Sequence, residues 1–559
     1  MPGKNTRIRL LVSLLICLIS FSNLPRASAE TARSTYTVTT TLDSGAGSLR
    51  QAIMDANSSG GKDYIYFNIP TTDPAYDPGA GIFQINVSTV LPSLDDPSGV
   101  VIDGSTQPGY VSGQKPKIIV SGIGLPSPGS IFTISSGSNG NTIRGFALGG
   151  VEADILTING DNNLIEENEI RSSYTGNGIT INSSATGNFI YTNHIFGNLL
   201  NGVHLASSSG NVLWLNVIGL TPDWMGTSNP NGHSGILCTV CSNNQILDNT
   251  ISGNLNHGIY LSNAGGNQIR GNRVGLSKNG LVDKGNGNHG IQLSTNCVGN
   301  DIFENWVSGN GKDGIHLDSA TTTSNHVELN AVGYAYNGSF IPNAEHGIGI
   351  YDGAYGNYIG KFGDATRGNI VGGNGWSGVV IVNSATGLNY LYGNHIQFNQ
   401  FYGVHVNNSP DNYIGFNAIA HNGVAGTHAG VRIEADTALR NAITRNNIHA
   451  NTGLGIQLVA GGNAMLPAPV LYSATCSSVT GTTCPNCTVQ IYSDRDYEGE
   501  IFETEVTADG SGNFTFSNPA VTFRGPNITA IAFSGSNTSE FALPRVGACL
   551  HFFLPIIFR

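Results

Sequence analysis

The chain has 559 residues, of which 75 are Gly, and only 11% are charged, against about a quarter in typical soluble domains. Because Gly inside a helix costs about 1 kcal/mol relative to Ala, this composition argues against a mainly helical fold. The 39% of apolar and aromatic residues argues against disorder, and the formal net charge of −12 argues against a nucleic-acid-binding protein.

Residues 1–29 have the pattern of a secretory signal peptide. Three basic residues precede an apolar run over 10–21, and small residues at 27–29 supply a cleavage site. This run is shorter than the roughly 20 residues that a membrane span requires. We therefore expect a secreted or cell-surface protein without a transmembrane segment.

A short helix is predicted soon after the signal peptide. Ser48 can act as its N-cap, and Leu49, Ala52, Ile53 and Ala56 share one face. Such a helix is suited to cover the open end of a stack of strands, which would otherwise expose unpaired edges.

Residues 131–463 contain a repeated motif of Gly, an aliphatic residue, any residue and usually a second aliphatic. The motif recurs every 23 to 27 residues, with longer intervals at four places, and its glycines are Gly178, Gly202, Gly235, Gly258, Gly290, Gly314, Gly347, Gly378, Gly403, Gly430 and Gly455. Two Asn-x-aliphatic segments, five residues apart, lie between most copies, as at Asn163 and Asn168. Each repeat therefore holds three short strands, which cannot bury their own apolar side chains unless successive repeats stack.

The repeat predicts an all-β chain: a right-handed parallel β-helix of three parallel sheets, followed by a small β-sandwich. The repeated Asn residues are expected to form structural hydrogen-bonded ladders at about 4.8 Å spacing. The pattern resembles the right-handed parallel β-helix repeat proteins with the pectate-lyase-like fold, and residues 30–130 resemble the cap and first turns of secreted bacterial members. This resemblance implies carbohydrate lyase or hydrolase activity in some members and non-catalytic surface roles in others.

Three long repeats carry inserts after their third strand, over 219–234, 275–289 and 333–346. The inserts are predicted to emerge at one corner of the β-helix and to form the wall of a groove. They contribute Trp224 and Tyr336, which we predict to bind a ligand.

Four residues that directly precede the repeat Gly, His257, His289, Asp313 and His346, lie on consecutive turns. They are predicted to stack about 4.8 Å apart. In the functional interpretation, all four residues could be ligands of a metal, or His289, Asp313 and His346 could act as acid and base. The alternative is a corner ladder of polar residues with a purely structural role.

Further candidates for catalysis point outward from the strands that follow these glycines. His316 and Asp318 belong to one strand, and Asp352 follows the next. Asp318 and Asp352 are predicted to be neighbours, as in the carboxylate pairs of glycosidases. Solvated polar residues on a sheet face are the structural alternative.

A row of tyrosines occupies the exposed position of three consecutive Asn-x-aliphatic segments. Tyr358, Tyr390 and Tyr413 can present their rings to sugars, or can pack against each other to stabilise the sheet. Tyr260, on the Gly-aliphatic face, is a further predicted ligand-binding residue.

The cysteines and the C-terminal segment complete the prediction. Cys238 with Cys241, and Cys484 with Cys487, are expected to form local disulfides rather than zinc sites, because the chain is exported.

Residues 464–559 are expected to form a β-sandwich and an apolar tail. This module resembles the Ig-like modules of secreted bacterial proteins, which implies spacing, capping or surface attachment.

The sequence thus predicts a secreted, non-catalytic cell-surface protein that binds polysaccharide or another surface polymer. The alternative is an extracellular polysaccharide lyase or glycoside hydrolase that acts in a groove on the β-helix. The motif sets of family polygalacturonases and calcium-dependent lyases are incomplete in this chain, which favours binding. Copper-handling β-helix relatives would require clusters of Met and His residues. The sequence gives no basis for assigning a cofactor.

Overall fold

A computed structural model describes residues 33–125, 129–223, 226–383 and 387–547. The predicted signal peptide and the apolar C-terminal tail lie outside these ranges. The described residues form a right-handed parallel β-helix with three long sheets, as predicted, followed by small antiparallel sheets. Each turn of the β-helix, called a rung below, adds one strand to each long sheet.

Sheet 1 begins with three strands that lack the Asn-x-aliphatic motif, and every later strand is the first Asn-x-aliphatic strand of its rung. Its strands are Thr35–Val38, Asp63–Phe67, Val100–Asp103, Thr142–Arg144, Leu164–Glu166, Phe189–Tyr191, Val212–Trp214, Gln245–Leu247, Gln268–Arg270, Asp301–Phe303, His326–Glu328, Tyr358–Ile359, Tyr390–Tyr392, Tyr413–Gly415 and Ala442–Thr444.

Sheet 2 is built from the second such strand, and its first pair is antiparallel. Its strands are Tyr76–Asp77, Ile82–Asn86, Ile118–Ser121, Phe146–Val151, Glu169–Ser173, His194–Phe196, Val217–Ile218, Thr250–Ile251, Arg273–Val274, Trp306–Val307, Ala331–Val332, Ile370–Gly372, His395–Gln397, Ala418–Ala420 and Asn447–His449.

Sheet 3 begins with two strands that lack the repeat Gly, and every later strand is a Gly-aliphatic strand. Its strands are Phe132–Ile134, Leu156–Ile158, Ile179–Ile181, Val203–Ala206, Ile236–Thr239, Ile259–Ser262, Ile291–Ser294, Ile315–Leu317, Ile348–Tyr351, Val379–Val382, Val404–Asn407, Val431–Glu434 and Ile456–Val459. Inward aliphatic residues of all three sheets form one continuous core.

The repeat Gly stands at the corner between sheets 2 and 3, where a side chain has no room. A Cβ on Gly290 would lie 2.5 Å from Val307 Cγ1 and 2.7 Å from the carbonyl oxygen of Gly314. The clash would recur at Gly314 with Val332 and with the carbonyl of Gly347. Close packing of the corner therefore explains why the motif keeps Gly.

Asparagine ladders run along the corners of the β-helix. Asn272 shows the pattern: its backbone N–H and its side-chain amide both donate to Asn305 Oδ1, at 3.0 and 2.9 Å, and the amide also donates to the carbonyl of Ile246. Two ladders follow the predicted Asn-x-aliphatic segments. A third was not predicted, and its members are Asn198, Asn231, Asn254, Asn286, Asn310, Asn343, Asn374, Asn399, Asn422 and Asn451.

The predicted N-terminal helix is confirmed as Leu49–Ser58, here α1. The side chain of Ser48 accepts a hydrogen bond from the backbone N–H of Gln51, and the four predicted apolar residues are its buried face. Helix α1 packs on the first two strands of sheet 1. The 3-10 segments are Gly104–Thr106, Ala365–Arg367 and Gly462–Met465.

Two antiparallel sheets follow the β-helix. One contains Val470–Ala474, Ser478–Thr482 and Asn513–Ser517. The other contains Ile501–Thr507, Thr488–Asp494, Asn527–Ser534 and Asn537–Thr538, with Arg545–Val546 paired to the third of these. The Ig-like assignment of this module stays a prediction.

The C-terminal module caps the last rung of the β-helix. Backbone N–H groups at that open end donate to acceptors of the module instead of to a further rung. These donor–acceptor pairs are Ile443–Thr538, Arg445–Tyr492, Ile448–Gly499, Asn451–Glu498 and Leu458–Glu540. The sheet edges are thereby protected from pairing with another chain.

The local cysteine pairs are disulfides, as predicted: Cys238 with Cys241 and Cys484 with Cys487. The thiol of Cys297 is free and buried. Among the residues described, no helix has the length and apolar character of a membrane-spanning segment.

Glu498 makes the capping interface sensitive to pH. Burial, together with the charges of Asp496 and Asp494, raises its pKa from 4.5 to about 8. Because the folded protein then binds a proton that the unfolded chain releases, the stability contributed by protonated Glu498 falls as pH rises from about 4.5 through 8. We predict that Glu498→Gln raises the melting temperature by several degrees at pH 8.5 and changes it little at pH 4.5. Equal effects at both pH values in thermal unfolding would contradict this assignment.

Candidate functional site

An open groove of about 720 Å³ crosses five consecutive rungs on the outer face of sheet 3. Strands about 4.8 Å apart give these rungs a length of about 19 Å. We call it the histidine groove, and its lining residues are His289, Lys312, Asp313, His316, Glu345, His346, Tyr351, Trp376, Ser377, Val380, Val382, Phe401, Tyr402 and His405.

One edge of the groove is the predicted column of residues that precede the repeat Gly. His289 Nδ1 accepts the backbone N–H of Asp313 at 3.2 Å, Asp313 Oδ1 accepts that of His346 at 2.9 Å, and His346 Nδ1 accepts that of Ser377 at 3.2 Å. These side chains therefore form a corner ladder. The contacts assign the ring proton of the neutral His289 and His346 to Nε2.

Burial keeps the histidines of this column neutral. It lowers the pKa of His289 to about 3, with a further contribution from the charge of His316, and lowers the pKa values of His257 and His346 to about 4. His257 stacks on His289 with ring centroids 5.6 Å apart. The column thus supplies uncharged imidazoles beside the groove.

A histidine lies between two carboxylates on the second of the five rungs, where Asp313 and His316 line the groove and Asp318 lies beside it. His316 Nδ1 contacts Asp313 Oδ2 at 2.8 Å, and its Nε2 contacts Asp318 Oδ2 at 3.2 Å. Gln292 Nε2 also donates to Asp318 Oδ2, at 2.7 Å. Asp313 is buried, with 1% of its side chain exposed, whereas Asp318 is partly exposed.

This arrangement favours an imidazolium on His316 and carboxylates on its partners. Burial alone would lower the pKa of His316, but the hydrogen bonds to Asp313 and Asp318 raise it above its ordinary value. Burial would raise the pKa values of both Asp313 and Asp318, but the hydrogen bond and charge of His316 bring them below their ordinary values. A proton can therefore be exchanged at the outer end of the trio, where Asp318 reaches solvent.

Tyr351 closes the inner side of this trio. Its ring stacks on His316 with centroids 4.5 Å apart, and its hydroxyl is close enough to Asp313 for that charge to act on it. Burial and the nearby Asp313 charge raise the pKa of Tyr351, so the phenol stays protonated. The ring fits because Gly349 has no side chain: a Cβ there would lie 2.8 Å from both Tyr351 Cζ and Asp313 Oδ2.

Aromatic side chains form the far end of the groove. Trp376 is 44% exposed and meets His346 edge-on at 5.1 Å. Tyr402 packs on His405 at 5.0 Å, and the guanidinium of Arg432 lies 5.2 Å from its ring. Exposed rings beside polar groups can contact the apolar faces of sugar rings.

The predicted catalytic residues divide into two groups. His289, Asp313, His346, His316 and Asp318 all contribute to this site, directly or as its neighbours. Asp352, the predicted partner of Asp318, is instead exposed on a turn, with a backbone φ of 48°. Asp318 pairs with His316 and not with a second carboxylate.

The predicted tyrosine row lies on sheet 1, away from the histidine groove. Tyr358 and Tyr390 stack at 5.0 Å, and Tyr390 and Tyr413 lie 6.4 Å apart. Phe362 covers this row edge-on, at 5.3 Å from Tyr390 and 5.4 Å from Tyr413. The contacts show the packing role that was the alternative to sugar binding.

The remaining predicted ligand-binding residues have separate surroundings. Tyr260 packs on His257 at 5.1 Å, at the end of the groove, while Tyr336 packs on Trp306 at 4.4 Å in an insert. The inserts contact one another, since the backbone N–H of Tyr336 donates to the carbonyl of Gly280. Trp224 lies outside the described residues.

Two of the four predicted metal ligands, His289 and Asp313, lie together with His316, which was not in the predicted metal set. His289, Asp313 and His316 offer ligand atoms within 4.8 Å of one another, whereas His257 and His346 are not in this group. His289 Nδ1 and both ring nitrogens of His316 already have hydrogen-bond or ion-pair partners. A metal ion at this position would have to replace those contacts.

Several lining residues were not predicted, and four of them are Lys312, Glu345, Trp376 and Tyr402. The first three stand two residues before the repeat Gly and Tyr402 stands directly before one. Both positions belong to the corner that the column of histidines had already indicated. Alignment of successive repeats would therefore have identified them.

Two family models match the chain. Residues 226–339 and 322–466 match a model described as periplasmic copper-binding protein (NosD), and residues 126–274 match one described as right handed beta helix region. None of the curated proteins gives a significant match.

Solved structures that are similar to this chain include the following three. The A-module of mannuronan C-5 epimerase AlgE6 from Azotobacter vinelandii is 14% identical, with a TM-score of 0.40 over 76% of this chain and 98% of that chain. The Dettilon tailspike protein is 14% identical, with a TM-score of 0.36 over 90% and 88%. PfbA, a surface adhesin of Streptococcus pneumoniae, is 12% identical, with a TM-score of 0.36 over 84% and 96%.

The charge state of His316 depends on both carboxylates. We predict that Asp318→Asn lowers the pKa of His316, because one of its two anionic partners is lost while the shape is kept. The pH titration of the histidine ring signals by NMR measures this shift. Asp352→Asn is the matched control, and a His316 pKa that is equal in both variants would contradict the assignment.

Proposed function

We propose that this right-handed parallel β-helix protein binds a polysaccharide along the histidine groove. The observation that carries the proposal is the groove itself, which is open at the surface and joins hydrogen-bonding side chains to exposed aromatic rings over five rungs. A chain polymer can lie across several rungs and make the same kind of contact with each. The rigid sheet beneath holds these side chains in place before the ligand binds, which limits the entropic cost of binding.

The lining chemistry supports a hydroxyl-rich ligand. Neutral imidazoles with the proton on Nε2 can donate to sugar hydroxyls, and Glu345 can accept from them. Trp376 and Tyr402 offer ring faces to the apolar side of a sugar. A secreted or cell-surface location, as predicted from the N-terminal sequence, would bring the groove to such polymers.

Binding is tested by removing the aromatic rings. We predict that Trp376→Ala and Tyr402→Ala each weaken polysaccharide binding about tenfold, which corresponds to about 1.4 kcal/mol. A glycan array identifies the ligand, and titration calorimetry measures the change. Tyr390→Ala on sheet 1 is the control and should bind like the unaltered protein. Loss of binding in the Tyr390 variant alone, or no glycan bound at all, would overturn the proposal.

The trio of Asp313, His316 and Asp318 favours a second function, cleavage of the bound polysaccharide. The outer carboxylate of Asp318 can accept a proton, and the imidazolium of His316 can donate one. These two groups touch at 3.2 Å, whereas the paired groups of a glycosidase stand about 5–9.5 Å apart. Their proximity fits an elimination on one side of a sugar ring better than hydrolysis.

The elimination requires a uronate unit in the polysaccharide. Asp318 would take the proton from C5, the electron pair would form the C4–C5 double bond, and the C4–O bond would break. His316 would protonate the departing oxygen from Nε2, which leaves its contact with Asp318 when that carboxylate takes the proton. Lys312, which also lines the groove, is positioned to offset the charge of the uronate.

Cleavage is tested by product analysis on acidic and neutral polysaccharides. We predict that the unaltered protein releases fragments with unsaturated ends, and that His316→Ala and Asp318→Asn lower this rate at least 100-fold. Asp352→Asn, which alters an exposed carboxylate beside the site, should retain the rate. Reducing ends without unsaturation would indicate hydrolysis, and no product from any polysaccharide would leave binding as the function.

Copper does not fit the described residues well. The one group with metal-ligand spacing, His289, Asp313 and His316, already uses the ring nitrogens that face Asp313. The described methionines, Met54 and Met465, belong to the helical segments at opposite ends of the β-helix. Among the described residues, the thioether donors thus belong to other elements than the histidine groove, and we derive no function from copper.

A further inference from the structure

The fourth of the five rungs of the histidine groove presents an apolar surface. Its strand in sheet 3 is Val379–Val382, and Val380 and Val382 occupy the two outward positions. In the register of the sheet, Val380 pairs with His405 and Val382 pairs with Asn407 on the next rung. Two aliphatic side chains thus stand where the neighbouring rung has polar ones.

Aromatic side chains extend this apolar surface. Phe401 follows Trp376 on the next rung, since its backbone N–H donates to the carbonyl of Trp376 at 3.0 Å. The rings of Phe401 and Tyr402 both meet His428 edge-on, at 4.8 and 4.9 Å, which fixes their orientation. The apolar subsite, as we call this part of the groove, consists of Trp376, Val380, Val382, Phe401 and Tyr402.

Most of the apolar subsite can be reached from the groove. Trp376 is exposed, and Val382, Phe401 and Tyr402 are each partly exposed, whereas Val380 is buried at the base. Ser377 is the polar side chain that this rung adds to the groove lining, and only 2% of its surface is exposed. The subsite therefore offers a ligand mainly carbon surface.

Polar groups flank the apolar subsite on both sides. The backbone N–H of Trp376 donates to the carbonyl of Glu345 at 2.8 Å, which places the Glu345 carboxylate on the preceding rung. On the following rung, His405 Nε2 contacts Glu434 Oε2 at 3.0 Å. A sugar chain along the groove would thus meet hydrogen-bonding groups, then carbon surface, and then hydrogen-bonding groups again.

This order restricts the sugar unit that fits the fourth rung. A hydroxyl group placed on the carbon surface would lose its hydrogen bonds to water without replacement, which is unfavourable. A methyl group needs no hydrogen bond and gains from its removal from water. In polysaccharides, this group is the C6 methyl of a 6-deoxy sugar or the methyl of an O-acetyl ester.

We propose that the apolar subsite selects polysaccharides whose units carry a methyl group, with that group bound at Val382. The inference rests on the proposed function, because it names the class of polysaccharide that the histidine groove would bind. A uronate unit beside Lys312 and a methyl-bearing unit two rungs further along can belong to the same heteropolysaccharide.

The experiment compares two matched pairs of probes by titration calorimetry on the full chain. One pair is an oligosaccharide of D-rhamnose and the equally linked oligosaccharide of D-mannose, which differ in the C6 hydroxyl. The other pair is acetylated glucomannan before and after mild alkaline deacetylation. We predict that a methyl-bearing probe binds about tenfold more tightly than its partner, and the pair that shows this preference identifies the source of the methyl group.

Val382→Thr tests the position of the methyl group, because it keeps the shape of the side chain and adds a hydroxyl. We predict that this variant reduces the preference from about tenfold to about threefold or less. The matched control is Val459→Thr, which alters the same strand position three rungs along, outside the groove lining. It should keep the full preference, and thermal unfolding should show that both variants are folded.

The outcomes separate this inference from the proposed function. Equal affinity within both pairs, or tightest binding on a glycan array to polysaccharides without methyl groups, would overturn the inference and leave polysaccharide binding standing. A full preference in Val382→Thr would overturn the assignment of the methyl group to Val382. If no glycan bound at all, the proposed function would fail, and this inference with it.

Discussion

The structure depends on hydrogen bonding between successive rungs at the corners, where the sheets end and the backbone turns. At each corner, backbone N–H groups have no strand partner, and a side-chain oxygen of the next rung accepts them. Asn305 does this for Asn272 while its amide continues the ladder to Asn330. An unsatisfied buried donor costs about 1–3 kcal/mol, so each corner position is strongly restricted.

The same restriction shapes the candidate site. His289, Asp313 and His346 occupy corner positions, and one side-chain atom of each accepts a hydrogen bond from a backbone N–H of the next rung. The Nε2 atoms of the two histidines remain available to the groove, whereas Asp313 Oδ2 contacts His316, so the corner ladder and the candidate site share these side chains. The two interpretations of the column are therefore compatible: the ladder orients the imidazoles, and the outward residues His316 and Asp318 are the acid–base pair of the proposed cleavage.

Local features of the fold were predictable because each depends on residues close together in sequence. The Gly motif, the helix after Ser48 and the two local disulfides all follow from spacing over a few residues, and the structure confirms them. The position of the inserts followed from repeat length. The third Asn ladder was missed because its members do not precede an aliphatic strand, which was the pattern used to recognise the other two.

The sequence by itself determined the β-helix, because a short repeat that cannot bury its own apolar side chains must stack. It also determined which residues point outward, because side chains alternate along a strand. Only the tertiary structure decided which outward residues meet. Tyr351 reaches Asp313 because Gly349 leaves space on the same strand, and Phe362 covers Tyr390 because a loop folds back over sheet 1. Such contacts join side chains through space across rungs, and repeat spacing carries no information about the direction in which a ring or a loop folds.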